Sequence, residues 1–73
     1  MRILVTGASG LIGSNLVSAL QKEGHTIRVT FRNHISDFGE DVEYFKGDLL
    51  DSKFCTEITK DIDVVFHCAA NTS

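Results

Sequence analysis

Gly7, Gly10 and Gly13 fall at intervals of three between an apolar run and a segment of helical periodicity. Residues of this type at this spacing suit one chemistry, the binding of phosphate. Gly7 allows a tight turn, Gly10 omits the side chain that would hold backbone N–H groups away from a pyrophosphate, and Gly13 lets a helix pack close on a strand. The helix start then offers oriented N–H donors and about half a positive charge to the anion. A plain strand-to-helix turn needs one such glycine, so Thr6-Gly7-Ala8-Ser9-Gly10-Leu11-Ile12-Gly13 predicts a dinucleotide cradle of the Rossmann type. Its expected contacts are Gly7, Ser9, Gly10, Leu11, Ile12 and Gly13.

A second chemistry-bearing position stands at the end of the next strand, Val29-Thr30-Phe31-Arg32-Asn33, where no acid occurs until Asp37. An NAD site usually places an Asp or Glu there, about 20 positions beyond the glycine turn, to accept both ribose hydroxyls. A guanidinium suits a 2′-phosphate instead, since its planar fork pairs with phosphate oxygens and stacks on adenine. Arg32 is therefore expected to read a 2′-phosphate, favouring NADP(H) over NAD; the competing reading is an arginine that faces solvent.

The elements that must position these residues follow from periodicity. Arg2-Ile3-Leu4-Val5-Thr6 reads as a strand buried on both faces of a parallel sheet. From about Gly10 a helix is predicted, with Ile12, Leu16 and Leu20 on its buried stripe, Leu11 and Ala19 beside it, and Gln21, Lys22 and Glu23 toward water. Gly24 supplies the stop. His25 to Phe31 alternates Ile27, Val29 and Phe31 with Thr26, Arg28 and Thr30, predicting a half-covered second strand. A polar loop from Asn33 to Asp41 precedes a third strand, Val42 to Lys46. Asp51 or Ser52 caps a short helix buried through Phe54 and Ile58, and Ile62 to Phe66 forms a fourth strand. The order β-α-β-loop-β-α-β requires crossovers between parallel strands. The predicted fold is α/β, half of a doubly wound parallel sheet in the order 3-2-1-4. One helix lies on each face, and the ligand crevice opens between strands 1 and 4.

With these motifs in order, the sequence resembles the extended short-chain dehydrogenase/reductases, which include nucleotide-sugar epimerases and dehydratases. The Thr-Gly-x-x-Gly-x-x-Gly of residues 6 to 13 carries the resemblance first. Asp48-Leu49 looks like the family's acid-hydrophobic pair after the third strand, and Asp63-Val64-Val65-Phe66-His67-Cys68-Ala69-Ala70 is similar to its segment at the end of the fourth. The resemblance implies that Asp48 accepts from the adenine amino group while Leu49 gives apolar contact, against a competing reading of Asp48 as a turn or capping aspartate. It also implies that His67 shapes the crevice floor and that Ala69 and Ala70 let the backbone pass close to the cofactor. Asp63 reads as a strand-start residue. The apolar-apolar-Arg ending of the second strand is similar to NADPH-dependent, dihydroflavonol reductase-like members.

Members of this family act through a Tyr-x-x-x-Lys pair, the lysine lowering the tyrosine pKa for acid–base work. The single tyrosine, Tyr44, has Asp48 at the fourth position after it and lies in a strand. The pair is accordingly expected beyond Ser73, and residues 1–73 are read as the amino-terminal part of one dinucleotide-binding domain, without chemistry of its own. The formal net charge of -3 and the scattered Lys and Arg argue against nucleic acid or anionic lipid as partners. No apolar stretch is long enough for a membrane span, and no leader precedes the first strand. Cys55 and Cys68, 13 apart, are expected as free, buried thiols in a reducing, cytoplasmic setting. His25, His34 and His67 are too dispersed for a metal site. The fourth strand, Val64-Val65-Phe66, leaves an apolar edge through which self-association is expected. Three functions fit this sequence: an NADP-dependent oxidoreductase, an epimerase or dehydratase that returns the hydride to its substrate, and a non-catalytic dinucleotide sensor.

Overall fold

Buried on nearly its whole length, the first strand, β1 (Arg2–Thr6), lies in the interior of the sheet. A computed structural model describes residues 1–8, 10–33, 35 and 37–68. Around β1 are α1 (Leu11–Lys22), β2 (Thr26–Phe31), β3 (Val42–Lys46), α2 (Ser52–Thr59) and β4 (Val64–His67). All strand pairs are parallel, and the sheet order is β3-β2-β1-β4. This is the half doubly wound sheet that the alternation of elements predicts.

Strand register sorts side chains onto two faces, because partners in a parallel ladder share a face. Ile3 pairs with Ile27 and Val64, Val5 with Val29 and Phe66, and Ile27 with Val42. Ile3, Val5, Ile27, Val29 and Val42 form the core together with Ala8, Val17 and Leu20, which places α1 over this face. Each of the Val, Leu and Ile side chains taken from water contributes about 1.5–3 kcal/mol.

The buried stripe of α1 is Gly13, Val17 and Leu20. It is rotated from the expected Ile12, Leu16 and Leu20. Ile12 and Leu11 are about four-fifths exposed, Ala19 is exposed, and Leu16 only packs partly against the core. A glycine drives the rotation: Gly13 has no side chain to register as apolar, yet its backbone is the closest point of contact with the turn. The helix ends as expected at Gly24 (φ 83°), where Gly24 N–H donates to Gln21 O at 3.0 Å and His25 N–H to Leu20 O at 3.4 Å, the paired bonds of a Schellman motif. Gln21 does not face water freely; its amide donates to Phe38 O at 2.7 Å and ties the β2–β3 loop to α1.

The other face corrects the expected half-covered β2. Arg28 and Thr30 are as buried as their apolar neighbours, at 6% and 2% exposure. Arg28 reaches under α2: Nη1–H donates to the carbonyls of Ile58 (2.8 Å), Lys60 (3.0 Å) and Glu57 (3.5 Å), Nε–H donates to Glu43 Oε1 (3.1 Å), and the guanidinium lies 5.1 Å from the Phe45 ring centroid. The second helix thus covers the face opposite α1, as expected, with Leu4 and Ile58 buried there. Asp51 caps it, accepting from the Lys53 and Phe54 N–H groups. Phe54 is half-buried, and β4 runs two residues later at its start and one at its end than the apolar run predicts. Cys55 and Cys68 are free but only half-buried, where full burial is expected; the Cys55 thiol donates to Leu49 O at 3.0 Å.

Candidate functional site

The glycine turn leaves the carboxyl end of β1 and stays attached to the sheet for one further rung, since Ala8 N–H donates to Thr30 O at 3.2 Å. The fold itself gives a physical reason for two of its three glycines. Gly7 takes φ 67°, the left-handed region that only glycine enters without strain. Gly13 sits where a Cβ would stand 2.8 Å from Ala8 Cα and 2.9 Å from Gly7 O, so no side chain fits between helix and turn. Gly10 has neither excuse. Its φ of -83° and ψ of 171° are ordinary extended backbone, and a Cβ there would meet no atom of the described residues within 4 Å.

Gly10 is also the N-cap of α1, and it brings no side-chain acceptor to the helix start. Ser14 N–H closes the first helical bond on Gly10 O at 2.9 Å, and the Ser14 hydroxyl donates to Ala8 O at 3.3 Å. The first N–H groups of any helix have no intrahelical carbonyl. Here they belong to Leu11, Ile12 and Gly13, with no acid in the first turn to compete for them. Open space above Gly10, donors without helical partners and the positive end of the helix dipole together make a cradle that fits a pyrophosphate. Ser9 lies outside the described residues, as do Ala69 and Ala70.

Beside this turn, the carboxyl ends of β2 and β3 bring Arg32 and Asp48 together. Both side chains are well exposed, at 75% and 46%, and Arg32 Nη2 stands 3.9 Å from Asp48 Oδ2. Asp48 Oδ1 accepts from Leu50 N–H at 2.9 Å and Asp51 N–H donates to Asp48 O at 2.9 Å, so the aspartate shapes the turn into α2 while its other carboxylate oxygen stays free for the guanidinium. Gly47 precedes it for a reason that spacing alone does not signal: a Cβ there would run into the Phe54 ring at 2.5 Å. Leu49 is half-buried next to it.

At the other flank, β4 ends against β1. Thr6 Oγ1 and His67 Nδ1 share a hydrogen bond of 2.6 Å, and Cys68 N–H donates to Thr6 O at 2.9 Å. His67 is thereby fastened to the residue from which the glycine turn departs. Asp63, expected at the strand start, stands immediately before β4, and its carboxylate accepts from Arg2 N–H at 2.8 Å. Tyr44 is committed elsewhere: its hydroxyl donates to Gly39 O at 2.9 Å and accepts from Phe38 N–H at 2.8 Å, holding the β2–β3 loop. Among the described residues no helix is long and apolar enough to cross a membrane.

Comparison with known proteins agrees with this geometry. Residues 3–73 match the model of the NAD dependent epimerase/dehydratase family. The chain is 37% identical over 70 residues to the 3 beta-hydroxysteroid dehydrogenase/Delta 5→4-isomerase of Mycobacterium tuberculosis, covering 94% of this chain and 19% of that protein. It is 35% identical over 75 residues to UDP-glucose 4-epimerase of Lactobacillus helveticus, covering 96% of this chain and 23% of the relative. Among solved structures, MoeE5 in complex with UDP-glucuronic acid and NAD superposes with a TM-score of 0.85 at 36% identity, over 100% of this chain and 24% of that one. The chain thus spans about a fifth to a quarter of the length of these proteins. The glycine turn, the parallel sheet and the sequence match agree: the chain belongs to the NAD dependent epimerase/dehydratase family.

Proposed function

We propose that the chain is the amino-terminal, nucleotide-binding part of a single Rossmann domain in an oxidoreductase that exchanges hydride between NADP(H) and a carbonyl or hydroxyl substrate. Gly10 carries this reading, because the fold itself accounts for Gly7 and Gly13 but leaves Gly10 open toward solvent at a helix start. In this reading the backbone of Gly7, Ser9, Gly10, Leu11, Ile12 and Gly13 holds the pyrophosphate. Arg32 pairs with the 2′-phosphate, Asp48 accepts from the adenine amino group, Leu49 packs on the ring, and Ala69 and Ala70 line the passage toward the nicotinamide. The bound cofactor supplies hydride transfer. Residues 1–73 bind and orient it, and Tyr44, with its hydroxyl engaged in the loop, is not the proton-transferring group.

The test is the effect of NADP+ and NAD+ on melting temperature, since a ligand that binds only the folded chain raises it. NADP+ is expected to give the larger rise. Equal rises would remove the role of Arg32, and no rise with either would remove the cradle.

A second reading, an epimerase or dehydratase that retains NAD, is favoured by the likeness to UDP-glucose 4-epimerase and to a structure holding NAD. A larger rise with NAD+ would select it. For the chain on its own we infer self-association through the edge strand β4, where Val65 and Phe66 are 50% and 37% exposed. Equilibrium sedimentation is expected to show mass above that of the monomer, and a clean monomer at high concentration would overturn it. Free thiols at Cys55 and Cys68 support a cytoplasmic setting.

A further inference from the structure

The ion pair between Arg32 and Asp48 joins two residues whose expected ligands differ, one the 2′-phosphate and the other the adenine. We propose that Asp48 is a specificity-determining residue: its carboxylate holds the Arg32 guanidinium as an internal substitute for the 2′-phosphate and so limits the preference for NADP(H) over NAD(H). The inference rests on the reading of Arg32 as the 2′-phosphate ligand.

Three observations support it. Asp48 is anchored on one oxygen only, Oδ1, by Leu50 N–H at 2.9 Å, which leaves Oδ2 directed to Arg32 Nη2 at 3.9 Å. The backbone beneath it has little freedom, because Gly47 is bonded through its N–H to Phe31 O at 3.0 Å and is pressed against the Phe54 ring. The carboxylate is therefore the more tethered partner, whereas Arg32, three-quarters exposed on a flexible stem, is the one with more freedom to move. A dianionic phosphate arriving beside Arg32 must draw the guanidinium from Asp48 and accept the nearness of a like charge. An NAD(H) ribose, uncharged at that position, meets neither cost. The pair is exposed and screened by salt, so its restraint is small, worth a two- to fivefold change in affinity, about 0.4–1 kcal/mol.

The experiment measures dissociation constants of NADP+ and NAD+ by titration calorimetry for the parent chain, Asp48→Asn, Arg32→Ala and the double variant. Asparagine keeps the oxygen that accepts from Leu50 N–H and puts an uncharged NH2 donor in place of the oxygen that faces Arg32; Asp48→Ser, whose hydroxyl also accepts in turns, is the second uncharged variant. Because adenine is common to both ligands, the ratio of their affinities cancels any change in adenine contact. With Arg32 present, Asp48→Asn is expected to raise the preference for NADP+ by about two- to fivefold, and with Arg32→Ala to raise it clearly less, by the like-charge part alone. An equal rise in both backgrounds would overturn the proposal, since Asp48 would then act on the phosphate by its own charge alone. No rise with Arg32 present, while Arg32→Ala lowers the preference, would overturn it and leave Arg32 as the phosphate reader. A preference that Arg32→Ala does not change would instead remove the reading on which it rests.

Discussion

The two helices end in opposite ways. Over one face of the sheet α1 stops on Gly24, whose left-handed backbone returns two N–H groups to the last carbonyls. Over the other, α2 has no glycine: Lys60 leaves in extended conformation, Asp61 takes φ 64°, and Arg28 donates to carbonyls of the last turn and of the residue after it. One end closes by local backbone geometry, the other by a side chain from 30 residues earlier. The difference extends to the faces themselves. Beneath α1 lie Ile3, Val5, Ile27 and Val29; beneath α2 a buried guanidinium stands among Leu4, Ile58 and Phe45, with its charge answered by Glu43 and the helix carbonyls. The first face draws on apolar burial, the second on hydrogen bonds that must all be made.

Ile27→Ala gives the largest expected effect. Ile27 is 1% exposed in the middle of the α1 core, and its truncation is expected to cost about 2–5 kcal/mol by lost burial and the cavity left behind. A chain of this size holds on the order of 4–11 kcal/mol in total, so urea unfolding should shift far toward lower concentration. A shift no greater than that of a surface substitution would show that this face is not where stability resides.

Arg28→Met tests the other face, and is expected to cost about 2 kcal/mol in the same measurement. Methionine restores most of the volume but none of the donors, so the carbonyls at the end of α2 lose a charged partner worth about 1.5–3 kcal/mol. Glu43, 44% exposed, can return to water, which keeps the loss below that of a fully buried ion pair. If Arg28→Met is as stable as the parent, the second face is held by packing alone and the contrast between the faces disappears.

Legibility in the sequence divides along the same line. Where one residue's own backbone preference sets the structure, the pattern suffices: the strand order, the glycine turn, Gly24 as a stop and Asp51 as a cap are all as expected. Where a distant partner decides, it does not. Arg28 looks solvent-facing because alternation reports polarity, and polarity implies exposure only when no acceptors wait on the covering helix. The stripe of α1 is misplaced by one position because Gly13 contributes contact without apolar bulk. The packing of Phe54 against Gly47 and the meeting of Arg32 with Asp48 depend on where β2, β3 and α2 come to rest. At the candidate site, the glycine turn is therefore legible and the pairing of Arg32 with Asp48 is not.

Gly10→Ala has the smallest expected effect on stability and isolates the site from the α1 face on which it rests. Alanine at the N-cap is expected to cost below about 1 kcal/mol, because the backbone is extended and the Cβ enters open space. Gly13→Ala, three residues along the same segment, forces a Cβ to within 2.8 Å of Ala8 Cα and is expected to cost more, about 1–3 kcal/mol as an overpacked contact. Binding should separate differently. In Gly10→Ala the methyl group occupies the space through which a pyrophosphate reaches the N–H groups, so the melting-temperature rise with NADP+ should vanish while the fold persists. A Gly10→Ala chain that keeps its full response to NADP+ would mean that Gly10 is free space and nothing more, and the cradle would lose the one glycine that the α1 face does not require.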